Sequence, residues 1–205
     1  MWAQVDNNSV IKVFPRPKAI TIGDINHPAN TMSVWPEAEL NGIGIYEIVE
    51  DTTNFKDQEY YINTGVTHTY NSETGKVDAA WGTAIAKEID DVKWTQAEID
   101  NGDAPSGADT NTVKSEGLKK IHKNRIDELC NSLLAPSDWM AVKAFEESGD
   151  VESGWKTWRA SIRTKCNSMQ AQIDGAADVD ALAALYEYTK GDPSTRPLGE
   201  FPVKE

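Results

Sequence analysis

The side chains best suited to recognition chemistry gather late in the chain, where Trp139, Trp155 and Trp158 accompany Asp138, Arg159 and Arg163. Indoles and guanidinium groups join a large apolar area to directed donors, and both are enriched among the anchors of protein interfaces. Arg159 and Arg163 stand four residues apart, so on a helix both forks leave the same side, next to Trp158 and Ile162. Such forks bind carboxylates in bidentate fashion, and Asp138 and Glu152 are candidates within the chain. The set reads as a packing and association centre, not a catalytic one.

Other chemistries find little footing. The chain has no phosphate loop, dinucleotide fingerprint, nucleophile elbow or zinc-binding helix motif. His27, His68 and His122 are isolated from one another and from any nucleophile, and are expected as surface or locally hydrogen-bonded rings. Carboxylate pairs arise by chance in so acidic a chain, so their presence argues for no acid–base reaction. Asp100, Asn101, Asp103 and Asp109 lack the spacing of a calcium loop and read as solvated linker. Cys130 and Cys166 fall on separate helical segments without metal-ligand neighbours, as small buried hydrophobes do. Neither a metal nor a cofactor is expected.

The elements that must position these residues lie in a chain of 205 residues with 33 acidic and 20 basic side chains, a formal charge of -13. That field repels phosphate backbones and anionic lipid, so nucleic acid and membrane are disfavoured partners. The cluster Lys114, Lys119, Lys120, Lys123 and Arg125 reads as a solvated helix face. The N-terminus has no basic region followed by an apolar run, and no apolar stretch approaches the ~20 residues that span a bilayer. A soluble protein made in a cytoplasm is expected.

Residues 1–83 read as β-rich. Trp2–Val5 and Val10–Phe14 flank an Asp6-Asn7-Asn8 turn, Ala19–Ile22 ends at Gly23-Asp24, and Pro36 opens a short helix closed by Gly42. Ile45–Val49 alternates as a half-buried strand, and Asn71–Gly75 joins a later hairpin. Residues 84–112 have the composition of an acidic linker. Over 113–191 the period becomes helical: Leu118, Ile121, Arg125, Leu129 and Leu133 form one face, and Trp155, Trp158, Ile162, Cys166, Met169 and Ile173 another. A helix with Trp139, Val142 and Phe145 follows Pro136, and a short one carries Val179 and Leu182. Residues 192–205 read as an extended proline-containing tail. The class is α+β: a small β-rich module, an acidic connection, and a C-terminal bundle of about four helices. Its expected core comprises Leu118, Leu129, Leu133, Trp139, Trp155, Trp158 and Ile162.

The run Leu133-Leu134-Ala135-Pro136-Ser137-Asp138-Trp139, followed by Trp155-Lys156-Thr157-Trp158-Arg159 and Ile162-Arg163, resembles the C-terminal region of phage tail assembly chaperone and tail-fibre assembly proteins over residues 115–190. In that family a leucine pair precedes Ser/Thr-Asp-Trp, and an aromatic-Arg pair leads to an apolar-Arg pair. This chain departs from the pattern at Glu146–Glu152, which lengthens the interval, and at Thr164, where an acidic residue is usual. Ile22–Pro28 with Trp35, Glu39-Leu40 and Ile43-Gly44-Ile45 also resembles the opening of phage tail-associated proteins. The resemblance implies a tail structural or tail-fibre-associated virion component, present in multiple copies and contacting other tail or fibre proteins. An assembly chaperone that leaves before maturation is the alternative, and a tail enzyme acting on host envelope polymer is a third.

Overall fold

A computed structural model describes residues 1–204, which divide into two compact units, Met1–Ile85 and a second beginning at Ala86. The architecture is α+β, with a β-rich N-terminal unit and a helical C-terminal one.

In the first unit, β1 (Trp2–Asp6) and β2 (Ser9–Phe14) form the expected hairpin. Its turn holds Asn7 and Asn8 at φ 47° and 62°, left-handed geometry that asparagine tolerates and that matches strand twist. Gln4 pairs with Lys12 and Val5 with Val10, so Ile11 is an unmatched bulge residue on an edge strand. β3 (Ile20–Ile22) ends at Gly23-Asp24 as expected, and Gly23 at φ 60° turns the chain into β4 (Ile25–His27). Two short helices, α1 (Thr31–Val34) and α2 (Glu37–Gly42), lead to β5 (Ile45–Asp51). After β6 (Tyr61–Ile62), the hairpin of β7 (Val66–Asn71) and β8 (Lys76–Trp81) closes through Gly75 at φ 66°.

The main sheet runs β2-β1-β5-β8-β7, antiparallel except for the parallel pair β5 and β8. That parallel pair was not legible beforehand, because it joins segments far apart in sequence. Strand alternation divides the core into two clusters. Phe14, Ile20, Met32, Leu40 and Ile45 form one, and Ala3, Ile48, Val77 and Ala79 the other.

In the second unit, the stretch expected as an open acidic connection over 84–112 is folded. β9 (Ile85–Ala86) spans the division between the units. β10 (Val92–Lys93) pairs antiparallel with β11 (Val113–Ser115), and α3 (Gln96–Asp100) lies between them. The acids that gave this stretch its linker composition are local acceptors. Asp109 takes the N–H groups of Asn111 and Thr112, and Glu98 completes a capping box with Thr95 while pairing with Lys114.

The Lys114 ammonium beside Glu98, followed by the Thr95 donors, holds this carboxyl down to about 2 from 4.5. Because the folded value is the lower one, its stabilising contribution is complete above 4.5 and is lost as pH falls through about 2. A carboxyl NMR titration should place the Glu98 midpoint near 2, and Lys114→Ala should raise it; a midpoint at 4.5 in the parent would contradict the pairing.

α4 (Leu118–Leu134) starts against this small β layer. Leu118 and Lys119 donate their N–H groups to the carbonyls of Glu88 and Ile89, satisfying orphan donors of the first turn. A Cβ on Gly117 would fall 2.3 Å from the Asp90 carbonyl carbon, so only glycine fits this approach. A 3-10 turn (Ala135–Ser137), α5 (Asp138–Glu146), α6 (Ser153–Asp174) and α7 (Val179–Ala184) complete the helices.

The seam between α4 and α6 is the centre of this unit. On α6 it is Arg159, Ile162, Cys166, Met169 and Ile173, close to expectation. On α4 it is Leu118, His122, Ile126, Cys130 and Leu134, a correction of the face drawn through Leu129 and Leu133. Leu129 is 51% exposed and Leu133 is half-buried. Both series have the same period and differ only in phase. Counting leucines selects the wrong one, because the true seam uses a histidine and a cysteine as apolar residues.

The candidate interaction surface around α5

Arg159 is the hub of the helical unit, with its side chain 8% exposed. One fork nitrogen donates to the Leu134 carbonyl at 2.9 Å and to the Ser137 hydroxyl, while the other meets Asp138 Oδ1 at 2.6 Å. Leu134 is the last residue of α4, so its carbonyl is one that the helix itself cannot satisfy. A single planar cation on α6 thereby ties the end of α4 to the start of α5. Ser137 precedes α5 but makes no side-chain cap bond; its hydroxyl donates to the Leu134 carbonyl and accepts from Arg159. Asp138 was one of two candidate partners for this arginine, and it is the one used; Glu152 lines a separate cleft.

The other members of the expected cluster part company. Arg163 is exposed and makes no ion pair among the described residues, so the two arginines do different work. Trp155 and Trp158 are half-buried and stack edge to face at 5.6 Å, but they do not fill the seam. They hold the returning tail instead: Trp158 Nε1 donates to the Pro202 carbonyl at 3.0 Å, and Lys204 lies 4.5 Å above the Trp155 ring. The tail is anchored further by fully buried Leu198, whose carbonyl accepts from Lys165 Nζ at 2.7 Å. Sequence gave no periodic signal for this anchor, since Leu198 stands alone among polar and proline residues.

Trp139 is the clearest correction. Expected in the core, it is 58% exposed, and with Val142 at 57% and Phe145 at 88% it forms an uncovered apolar face. No residue of α5 is buried. The periodicity of the face was right; what it faces is not the α4–α6 seam, where His122 and Cys130 already occupy the apolar positions. Clefts flank the helix. One of about 310 Å³ lies beside Trp139, Met140 and Trp155, and one of about 360 Å³ beside Ala141, Phe145 and Arg163.

Remaining candidates resolve into structural roles. Lys114, Lys119 and Lys123 of the basic cluster pair with Glu98, Asp90 and Asp174. His27 and His122 are buried, not superficial: His27 packs edge to face on Trp35 at 5.4 Å, and His122 tilts against Tyr186 at 4.8 Å. Cys130 and Cys166 are both free and buried. Burial, then the neighbouring Cys130, pushes the Cys166 thiol up to about 12. At pH 8 the native thiolate should then be only about one part in ten thousand. A thiol reagent should leave Cys166 untouched until denaturant is added; modification of the native chain at the rate of a free thiol would refute this environment.

No family model, curated protein or solved structure matches the chain. The segment that builds this surface runs from the end of α4 through α5 to α6. That segment is compact in function: Leu134, Ser137, Asp138 and Arg159 converge on one junction, and the junction presents α5. An apolar helix face left without a covering element is the usual mark of a protein contact.

Proposed function

We propose that this chain is a bacteriophage tail structural or tail-fibre-associated protein that acts through protein–protein contacts in the virion. The observation that carries the proposal is the uncovered face of α5, with Trp139, Val142 and Phe145 held outward by the Arg159 junction. Large aromatic side chains on a preorganised helix bind with little loss of freedom, which is what an assembly contact needs. Support from the sequence comes from the resemblance to tail and tail-fibre assembly proteins over residues 115–190, whose matching residues build this junction. The role is non-catalytic and takes no cofactor. Its partners are other tail or fibre proteins, in multiple copies, and neither nucleic acid nor membrane; the chain is made in the host cytoplasm and resides in the tail.

Quantitative mass spectrometry of purified particles tests this. The chain should be present in fixed ratio to tail proteins. If it is absent from mature particles while fibre protein loses solubility without it, the assembly-chaperone reading replaces this one.

A further inference from the structure

We propose that the segment leaving β2 is a docking site for a short acidic stretch of a partner protein, held by Lys12, Arg16 and Lys18. This contact belongs to the first unit and goes beyond the reading of α5. The cleft there has a volume of about 460 Å³; Val13, Phe14, Pro15 and Pro17 give it an apolar lining, and the three cations complete its wall. Lys12 Nζ lies 5.3 Å over the ring of buried Phe14. Arg16 and Lys18 also carry backbone N–H groups with no backbone partner among the described residues, so an incoming chain can meet main-chain donors as well as charges.

Charge selects the occupant. Between Asp6 and Asp24 the chain has no acidic residue, and the only other cationic side chains of Met1–Ile85 are Lys56 and Lys76. Lys76 is matched by Glu47 and Glu37, whereas Lys12, Arg16 and Lys18 make no ion pair among the described residues. A protein of formal charge -13 thus keeps three exposed cations together and uncompensated. Their complement is a chain bearing carboxylates, and the apolar lining suits an aromatic or aliphatic side chain set between them. The field of the whole chain repels a long phosphate polymer, but a peptide of a few residues presents its charges mainly to cations within the Debye length of about 8 Å. Pro15 and Pro17 fix φ at two positions of the cleft, so little chain freedom is lost on binding.

Fluorescence anisotropy of the full chain with a fluorescein-labelled peptide of alternating glutamate and tyrosine tests the proposal. The peptide should bind with a micromolar Kd at about 0.05 M salt and weaken as salt rises, and its glutamine counterpart should bind at least about tenfold more weakly. Arg16→Glu, at an exposed side chain, should weaken binding at least about tenfold with an unchanged circular dichroism spectrum. Lys190→Glu makes the same charge change at an exposed lysine outside the cleft and should leave binding within about twofold of the parent. No salt-dependent binding, equal affinity for the glutamine peptide, or equal losses from Arg16→Glu and Lys190→Glu would overturn the proposal. Tighter binding of single-stranded DNA carrying the same label would assign the cleft to a nucleic acid, and self-association lost in Arg16→Glu would assign it to a second copy; either result overturns the proposal too. None of these measurements depends on α5 or on residence in a particle, so the tail role stands or falls separately.

Discussion

Arg159→Ala is expected to destabilise the helical unit by about 3 kcal/mol, a fall in melting temperature of about 10 °C. The size follows from what is left behind. The buried Ser137 hydroxyl and the terminal Leu134 carbonyl each lose a charged donor, and Asp138 loses its ion pair. Asp138 itself stays largely solvated, so the cost is below that of stranding a fully buried carboxylate. Arg159→Lys keeps the charge but has no second fork nitrogen, so it cannot hold Asp138 and the Leu134 carbonyl together; a loss of about 2 kcal/mol is expected. Thermal unfolding of the full chain followed by tryptophan fluorescence measures both. A variant melting within about 1 °C of the parent would show that the junction is held by packing alone.

Ile126→Ala and Leu129→Ala should differ sharply although they are three residues apart on one helix. Ile126 is 3% exposed on the α4–α6 seam, and truncating such a side chain costs about 2–4 kcal/mol through lost transfer energy and the cavity left behind. Leu129 points to solvent, and its truncation should stay within about 0.5 kcal/mol. Denaturant midpoints at constant slope give both values. The reverse order would restore the face drawn from leucine positions and displace His122 and Cys130 from the core.

These two experiments mark where sequence was and was not sufficient. Local rules worked where the determinant is local: the Asn7-Asn8 hairpin, the glycine-closed turn at Gly75, the short helix after Pro36 and the α6 stripe were all readable. They failed where the deciding term is tertiary. Periodicity gives the repeat of α4 but not its phase, because a buried His122 and Cys130 look polar or neutral on any composition count. Acidic residues over 84–112 look like a solvated connection until their acceptors are paired with the N–H groups they cap. An amphipathic face such as Trp139, Val142 and Phe145 signals burial without naming what buries it, and in this chain nothing within the helical unit does. The site was legible as a set of residue types and divided only in three dimensions: Arg159 and Asp138 build the junction, Trp155 and Trp158 hold the tail, and Trp139 and Arg163 face outward.

The most direct test of α5 as a working contact is site-specific photocrosslinking in the assembling particle, with p-benzoylphenylalanine placed at Val142, the centre of the exposed face. A discrete crosslinked species containing this chain and a tail or fibre protein, or a second copy of the chain within particles, is the expected result, with none from the same probe at Glu128 on the outer side of α4. Equal, diffuse labelling from both positions, or none from Val142 in particles that contain the chain, would contradict the account.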